Sequence, residues 1–225
     1  MRYSICISTL NRDEILNNLL NTIELYTQDF EVVIYNAAKE GLIPVGDAWN
    51  VAVQKAKGEY IQVLNDDMEV MPNWLVSNKR LYDRLEEEGK NPGSLQSMVM
   101  CNGQVQTRGG EFKGLRNSIV EGPDIVKEID YSNFPFFKKD RWEKVGGFTS
   151  YGQIYYEDSG FGLKLQKAGY KNFYNPDSVI THITTGSNHS DTDKQKEERR
   201  YREQVLQPQS KEAFFKVWTE YLQSR

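Results

Sequence analysis

Short apolar runs alternate with helix-like spacings over the first hundred residues. The runs at residues 3–8, 31–35 and 60–64 predict three strands. Between the first two, apolar residues recur at i, i+3, i+4 and i+7: Leu16, Leu19, Leu20 and Ile23. A second helix is predicted at about 47–57, with Gly58 as its C-terminal cap. Strands that alternate with helices predict a mainly parallel sheet covered on both faces.

Pro72 opens a further predicted helix, and residues 95–100 predict another strand. The pattern changes after that strand. Residues 102–133 are rich in glycine and polar residues and predict irregular structure with short strands. Further on, we expect a strand at 134–137, helices at 140–145 and 158–168, the latter burying Phe161, Leu165 and Ala168, and strands at 171–174 and 178–183. Residues 186–196 predict a mobile polar loop, and a helical tail divided by Pro208 carries an apolar stripe that includes Phe215 and is expected to pack back on the domain.

Composition narrows the possible functions. A net charge of -4 argues against a protein that binds nucleic acid by neutralising phosphates. No apolar run reaches the about 20 residues that span a bilayer, and the N-terminus begins as a strand without a signal peptide. Because Cys6 and Cys101 lie in apolar runs, we expect a cytoplasmic protein. With only His182 and His189, a metal would depend on carboxylates.

Polar residues follow the first three predicted strands, where ligands bind in an open parallel sheet. Residues of these types also occur in turns and helix caps that bind no ligand. For Asn11, a helix-capping role is as strongly favoured as ligand binding. Adjacent carboxylates at 66 and 67 repel each other unless a cation or water separates them, which favours a divalent ion. These residues are Thr9, Asn11 and Arg12 after the first strand, Asn36 after the second, and Asn65, Asp66 and Asp67 after the third.

Two further polar groups lie downstream. Glu157 and Asp158 open a predicted helix, where acids complement the helix dipole and could equally provide a general base. His182 ends a predicted strand, and a single histidine there is more often structural than a ligand.

The motifs occur in a fixed order along roughly residues 1–187. They are ICISTLNR at 5–12, EVVIYNAA at 31–38, GDAWNVAVQKAKGEYIQVLNDD at 46–67, MPNWL at 71–75, KVGGF at 144–148, YYEDSGFGLKLQKAGYK at 155–171 and NPDSVITHITTGS at 175–187. This ordered set resembles family 2 glycosyltransferases with the GT-A fold, non-processive members similar to bacterial rhamnosyl- and glucosyltransferases.

The resemblance implies a role for each matched position. Asp67 stands in the place of the direct ligand of Mn2+ or Mg2+, and His182 matches a histidine that helps bind metal or diphosphate. Asp158 matches the catalytic base, with Glu157 beside it. The remaining matches line the nucleotide sugar: Thr9, Asn11 and Arg12 at the base and diphosphate, Asn36 at the base, and Asn65 and Asp66 near the ribose or the ion.

The resemblance also implies an α/β GT-A (Rossmann-like) fold, with a mainly parallel sheet flanked by helices and a C-terminal helical tail. Residues 1–187 would form the catalytic domain (1–100 binding nucleotide, 101–187 binding acceptor), and 188–225 a loop and helical extension. The implied reaction is metal-dependent, inverting transfer of one sugar from a UDP-, dTDP- or GDP-linked donor to a hydroxyl of a glycan, lipid-linked or protein acceptor. The QxxRW signature of processive synthases is absent.

Two departures from the family pattern leave alternatives open. Asparagine replaces the usual acid at 36 and 65, which leaves the donor base undecided and predicts metal binding that depends on the nucleotide. A degenerate GT-A domain that binds glycan or nucleotide, or scaffolds a partner, is one alternative. Retention of Asp67, Asp158 and His182 speaks against it. A sugar-phosphate nucleotidyltransferase is another, but STLNRDE lacks the glycines of its phosphate loop.

Overall fold

The computed structural model describes residues 2–10, 12–183, 197 and 200–225. The helices in chain order are α1 (Asp13–Tyr26), α2 (Ala37–Glu40), α3 (Val45–Lys55), α4 (Trp74–Glu87), α5 (Lys139–Val145), α6 (Glu157–Lys167) and α7 (Gln207–Gln223), the last preceded by a π-helical turn at Arg202–Leu206. The strands are β1 (Tyr3–Thr9), β2 (Phe30–Asn36), β3 (Tyr60–Asn65), β4 (Met68–Val70), β5 (Pro92–Cys101), β6 (Gln104–Thr107), β7 (Gly110–Lys113), β8 (Arg116–Ile119), β9 (Lys127–Ile129), β10 (Phe136–Lys138) and β11 (Lys171–His182).

Within the described part of the chain, nine strands form one sheet. Its order is β2-β1-β3-β10-β5-β11-β4, with β6 on β5 and β9 on β11. The long strands β2, β1, β3, β5 and β11 run in one direction, and the short strands β10, β4, β6 and β9 run against them. Strands β7 and β8 form a separate hairpin. The carboxyl ends of the long strands therefore meet at one edge.

Apolar side chains cover both faces of this sheet. Along β1, Ile5 and Ile7 pack on the face covered by α1 and α4, whereas Cys6 faces α3, α5 and α6. Helices on both faces of a mainly parallel sheet, followed by a C-terminal helix, confirm the expected fold class.

Two local predictions were wrong. Helix α3 ends at Lys55 with Ala56 as its cap, so Gly58 is not the cap. Gly58 instead lies against β1, where an added Cβ would be 2.7 Å from the backbone nitrogen of Ser4. Ala168 is exposed just beyond α6, because the helix stops at Lys167.

The C-terminal half also differs in detail from the prediction. The two strands expected at 171–183 form the single strand β11, whose pairing with β5 shifts register between Asn175 and Val179. Pro208 lies in the first turn of α7, where the chain passes from the π-helical turn into the α-helix. The stripe of α7 packs on the domain as expected, with Phe214 rather than Phe215 fully buried. The expected loop at 186–196 and His189 lie outside the described residues.

No helix among the residues described combines the length and apolarity required to span a membrane.

Candidate functional site

The ends of three neighbouring strands bring the predicted polar residues to one edge of the sheet. Thr9 at the end of β1 pairs in register with Asn36 at the end of β2. On the other side, Ser8 pairs with Asn65 at the end of β3, and the Ser8 hydroxyl donates to Asn65 Oδ1 at 3.2 Å. The Asn36 side chain accepts from Ala38 N at 3.0 Å and caps the short helix α2.

Asp66 is held inside the protein by the last residue of β1 and by the residue that precedes α1. Its side chain is 1% exposed. The Thr9 hydroxyl donates to Oδ2 at 2.5 Å, and the Arg12 guanidinium donates to both carboxylate oxygens. Arg12 also donates to Asp67 Oδ2 at 3.1 Å, so this arginine bridges the two adjacent acids. The repulsion expected between neighbouring carboxylates is thus offset by an arginine.

Asp67 and His182 meet because β4 turns back to pair with the end of β11. Met68 pairs with His182 in that ladder, and Ile183 N donates to the Asp67 carbonyl at 2.8 Å. As a result, His182 Nε2 lies 3.5 Å from Asp67 Oδ1. Burial acts to raise the pKa of Asp67, but His182 and Arg12 outweigh it and hold that pKa below its usual value.

The donor atoms here suit one corner of a divalent-ion site. Asp67 Oδ1 is buried and makes no hydrogen bond. Gln106 Oε1 lies 3.0 Å from His182 Nδ1 and, as an acceptor, fixes the proton on that nitrogen. The facing Asp67 oxygen and His182 Nε2 are both of the kinds that bind divalent ions in proteins. Across the described ranges, no three acidic, histidine or cysteine side chains form a metal-binding group.

Glu157 and Asp158 begin α6, and Asn133 fixes the second of them. Asn133 Nδ2 donates to Asp158 Oδ2 at 3.0 Å, and Ser159 N donates to Asp158 Oδ1 at 2.6 Å. Glu157 packs against the first turn of α3, where a Cβ added to Gly46 would lie 3.0 Å from Glu157 Cβ. The two acids therefore differ: Asp158 is oriented by hydrogen bonds and Glu157 by packing.

Burial holds the pKa values of both acids above normal. Burial, followed by the charge of Asp158, raises the pKa of Glu157 to about 8. Burial also raises the pKa of Asp158, although Asn133 and Ser159 donate to its carboxylate and oppose the increase. Asp158 is thus better suited to carry the charge of the pair, with Glu157 neutral beside it.

A cavity of about 280 Å³ extends from His182 to the acid pair at the start of α6. Asn65 and His182 from the strand ends line it, as do Glu157 and Asp158. Its other lining residues are mostly aromatic or polar: Trp49, Gln106, Thr107, Ile119, Tyr131, Asn133 and Phe134. The predicted metal ligand His182 and the predicted base Asp158 therefore line the same cavity, which is large enough for a small ring.

Strand β6 reaches both groups through adjacent residues. Gln106 contacts His182, and the Thr107 hydroxyl donates to Asn133 Oδ1 at 2.9 Å. In the ladder with β5, Thr107 pairs with Val99 and Val105 with Met100, so Gln106 is an extra residue. Such a β-bulge lets two successive side chains face the same side.

Sequence reasoning missed Asn133, Gln106 and Thr107. They lie in the segment 102–133, where the pattern indicated irregular structure and isolated amide and hydroxyl residues read as turn formers. Asn11, predicted at the nucleotide, lies outside the described residues.

Comparisons with known proteins give structural similarity only. No protein-family model matches the sequence, and no curated protein matches it. The crystal structure of GalNAc-T7 with UDP, GalNAc and Mn2+ is similar, with a TM-score of 0.64, 14% identity, and coverage of 81% of this chain and 44% of that one. S. aureus TarS is similar with a TM-score of 0.57, 15% identity, and coverage of 82% and 37%.

This similarity confirms the GT-A fold expected from the sequence. The chain spans less than half the length of either solved chain, which makes it comparable to part of each.

Proposed function

We propose that this chain is a non-processive, inverting glycosyltransferase of the family 2 type, which moves one sugar from a nucleoside diphosphate sugar to an acceptor hydroxyl. The observation that carries the proposal is that Asp158 and His182 line the same cavity and that His182 lies beside Asp67. The GT-A fold shared with GalNAc-T7, crystallised with UDP and Mn2+, and with TarS supports it.

On the donor side, the strand-end residues have complementary tasks. Thr9 and Arg12 hold Asp66 in place, and Arg12 supplies positive charge at the edge where a diphosphate would lie. Asp67 and His182 would hold Mn2+ or Mg2+ together with diphosphate oxygens. When bound, the ion supplies stabilisation of the negative charge that develops on the leaving diphosphate.

On the acceptor side, Asp158 is the proposed general base. Its carboxylate takes the proton of the acceptor hydroxyl as that oxygen forms a bond to the sugar C1. The C1–O bond to the diphosphate breaks and its electron pair leaves with the diphosphate oxygen. One base and in-line displacement give inversion at C1. Glu157 keeps its own proton next to Asp158, so the pair has one charged member.

The finer assignments belong to the same proposal. Residues 1–100 would bind the nucleotide and 101–187 the acceptor, with 188–225 as an extension of this domain. The donor carries uracil, thymine or guanine, the acceptor is a carbohydrate-type molecule, and the site of action is the cytoplasm.

A donor panel tests the reaction directly. UDP-, dTDP- and GDP-sugars are incubated with the protein and Mn2+ or Mg2+, and nucleoside diphosphate release is measured with candidate acceptors. Asp158→Asn should still bind nucleotide and lose at least about 10²-fold in transfer, because the base is gone. Asp140→Asn is the matched control, since this exposed acid also lies in the first turn of a helix. Substantial transfer by Asp158→Asn would remove it from the role.

The metal assignment has a separate test. Asp67→Ala should abolish the dependence of nucleotide affinity on Mn2+, measured by calorimetry with and without the ion. An unchanged Mn2+ titration would contradict the assignment of Asp67.

The runner-up function is a degenerate GT-A domain that binds nucleotide or glycan without transfer. The specific observation in its favour is the Arg12 guanidinium, which occupies both Asp66 and Asp67. Nucleotide binding without turnover across the whole donor panel would favour this function.

A further inference from the structure

Helix α7 contacts the loop at residues 151–156 through three of its buried side chains. Four buried residues recur at intervals of four: Ser210, Phe214, Trp218 and Leu222. The Ser210 hydroxyl donates to the carbonyl of Ile154 at 2.7 Å, and Trp218 Nε1 donates to the Tyr151 hydroxyl at 2.6 Å. The stripe therefore binds residues 151–156, the loop immediately before α6, by directed hydrogen bonds as well as by packing.

The central contact of this stripe is on the residue that precedes the acid pair. The Phe214 ring stacks on the Tyr156 ring, with centroids 4.9 Å apart and planes at 29°. Phe214 also meets Tyr151 edge to face at 5.1 Å. Tyr156 is the N-cap of α6, whose first two residues are Glu157 and Asp158. Because Tyr156 directly precedes Glu157, a displacement of Tyr156 would reach the first acid through a single peptide bond.

The loop adopts a conformation that needs external support. Tyr155 and Tyr156 both have positive φ, 79° and 69°, and two successive bulky residues rarely do so. Such backbone persists when the surrounding structure determines it. The fit is close: an added Cβ on Gly152 would lie 2.2 Å from Ser210 Oγ, and one on Gly160 would lie 2.4 Å from the Tyr151 hydroxyl.

We infer that α7 sets the position of Glu157 and Asp158, with Phe214 and Trp218 as positioning residues for the proposed base. The inference rests on the proposed function for its kinetic consequence. The nucleotide half is independent of α7, because Thr9, Arg12 and Asp67 are held by β1, β3, β4 and β11.

Substitutions along α7 test this inference. Phe214→Leu keeps an apolar side chain but removes the stack on Tyr156, and Trp218→Phe keeps a smaller aromatic ring but removes the indole N–H that donates to Tyr151. Each should lower kcat at least about tenfold while nucleotide affinity, measured by calorimetry, stays within about twofold. Val217→Ala is the matched control, since this residue of the same helix is 62% exposed. Wild-type kcat in both buried variants would overturn the inference.

A measurement without turnover separates this inference from the proposed function. Carboxyl ¹³C resonances of Glu157 and Asp158 are followed through a pH titration in wild type, Phe214→Leu and Val217→Ala. Displaced titration curves in Phe214→Leu alone would support the positioning role, even if no sugar donor is turned over. Superimposable curves in all three proteins would contradict it, even if the wild type is an active transferase.

Discussion

Asn133 and Asp158 form a hydrogen bond in which Asn133 Nδ2 donates to Asp158 Oδ2 at 3.0 Å. The asparagine is itself fixed on two sides. The Thr107 hydroxyl donates to its Oδ1 at 2.9 Å, and its backbone N–H donates to Gln96 Oε1 at 2.6 Å. A chain of buried polar groups from β5 and β6 thus aims one oxygen of the proposed base.

Asn133→Ala should lower kcat on the order of 10²-fold with little change in nucleotide affinity, because the base loses its orientation. The lost donor opposed the rise in the Asp158 pKa, so that pKa should increase. The acidic limb of the pH–rate profile should move to higher pH. Thr107→Val should change kcat in the same direction by a smaller factor. A pH–rate profile identical to that of wild type would remove Asn133 from the role.

Glu157 should make the protein less stable as pH rises. Its pKa is raised from 4.5 to about 8 in the folded chain, so the native state holds a proton that the unfolded state releases. Its contribution to the free energy of unfolding is complete below pH 4.5 and is lost as pH rises through about 8. Urea unfolding at several pH values should show this decline, and Glu157→Gln should flatten it. The exposed Glu87→Gln should leave it unchanged.

Gly58→Ala should destabilise the protein by about 1–3 kcal/mol, since the new methyl group meets the backbone of Ser4 rather than a flexible side chain. Gly58 N also donates to Ser4 Oγ at 2.7 Å, a contact that the displacement would lengthen. Denaturant unfolding measures the effect. Lys57→Ala, at an exposed neighbouring position, should stay within about 0.5 kcal/mol of wild type. Equal midpoints for the two variants would refute the packing argument.

Asn78→Ala should cost about 1–3 kcal/mol, because it leaves a buried amide without its acceptor. Asn78 accepts from Asn175 Nδ2 at 2.8 Å and donates to Ser97 Oγ at 3.0 Å, beside the register shift of β11. Val76→Ala, on the exposed side of the same helix, is the control. Matching free energies of unfolding in the two variants would show that this polar network is dispensable.

The sequence predicted those parts of the fold that local patterning determines. Strands β1 to β3 and helices α1, α3 and α4 follow from apolar spacing within each segment. Strand β10 illustrates the limit: the apolar run predicts a strand at 134–137, but its antiparallel place between β3 and β5 depends on long-range pairing. The short strands β6 to β9 lack a distinctive pattern for the same reason.

The site residues also divide into those that the local sequence indicates and those that depend on long-range contacts. Asp67 and Asp158 could be proposed from their places at a strand end and a helix start, because those positions have chemical meaning in this architecture. Their supporting residues could not. Asn133 and Gln106 gain their roles from partners 25 and 76 positions away in the chain, and nothing in their immediate sequence indicates those partners.

Because β6 contains one extra residue, Gln106, the side-chain contacts of this short edge strand depend on its length. With Gln106 in place, adjacent side chains brace His182 and, through Asn133, Asp158. Deleting one residue between Val105 and Thr107 would restore a regular ladder in which neighbouring side chains point to opposite faces. One brace would then be lost while the sheet stayed intact. Relatives that differ here by a single deletion should therefore keep the fold and lose the alignment of the two halves of the site.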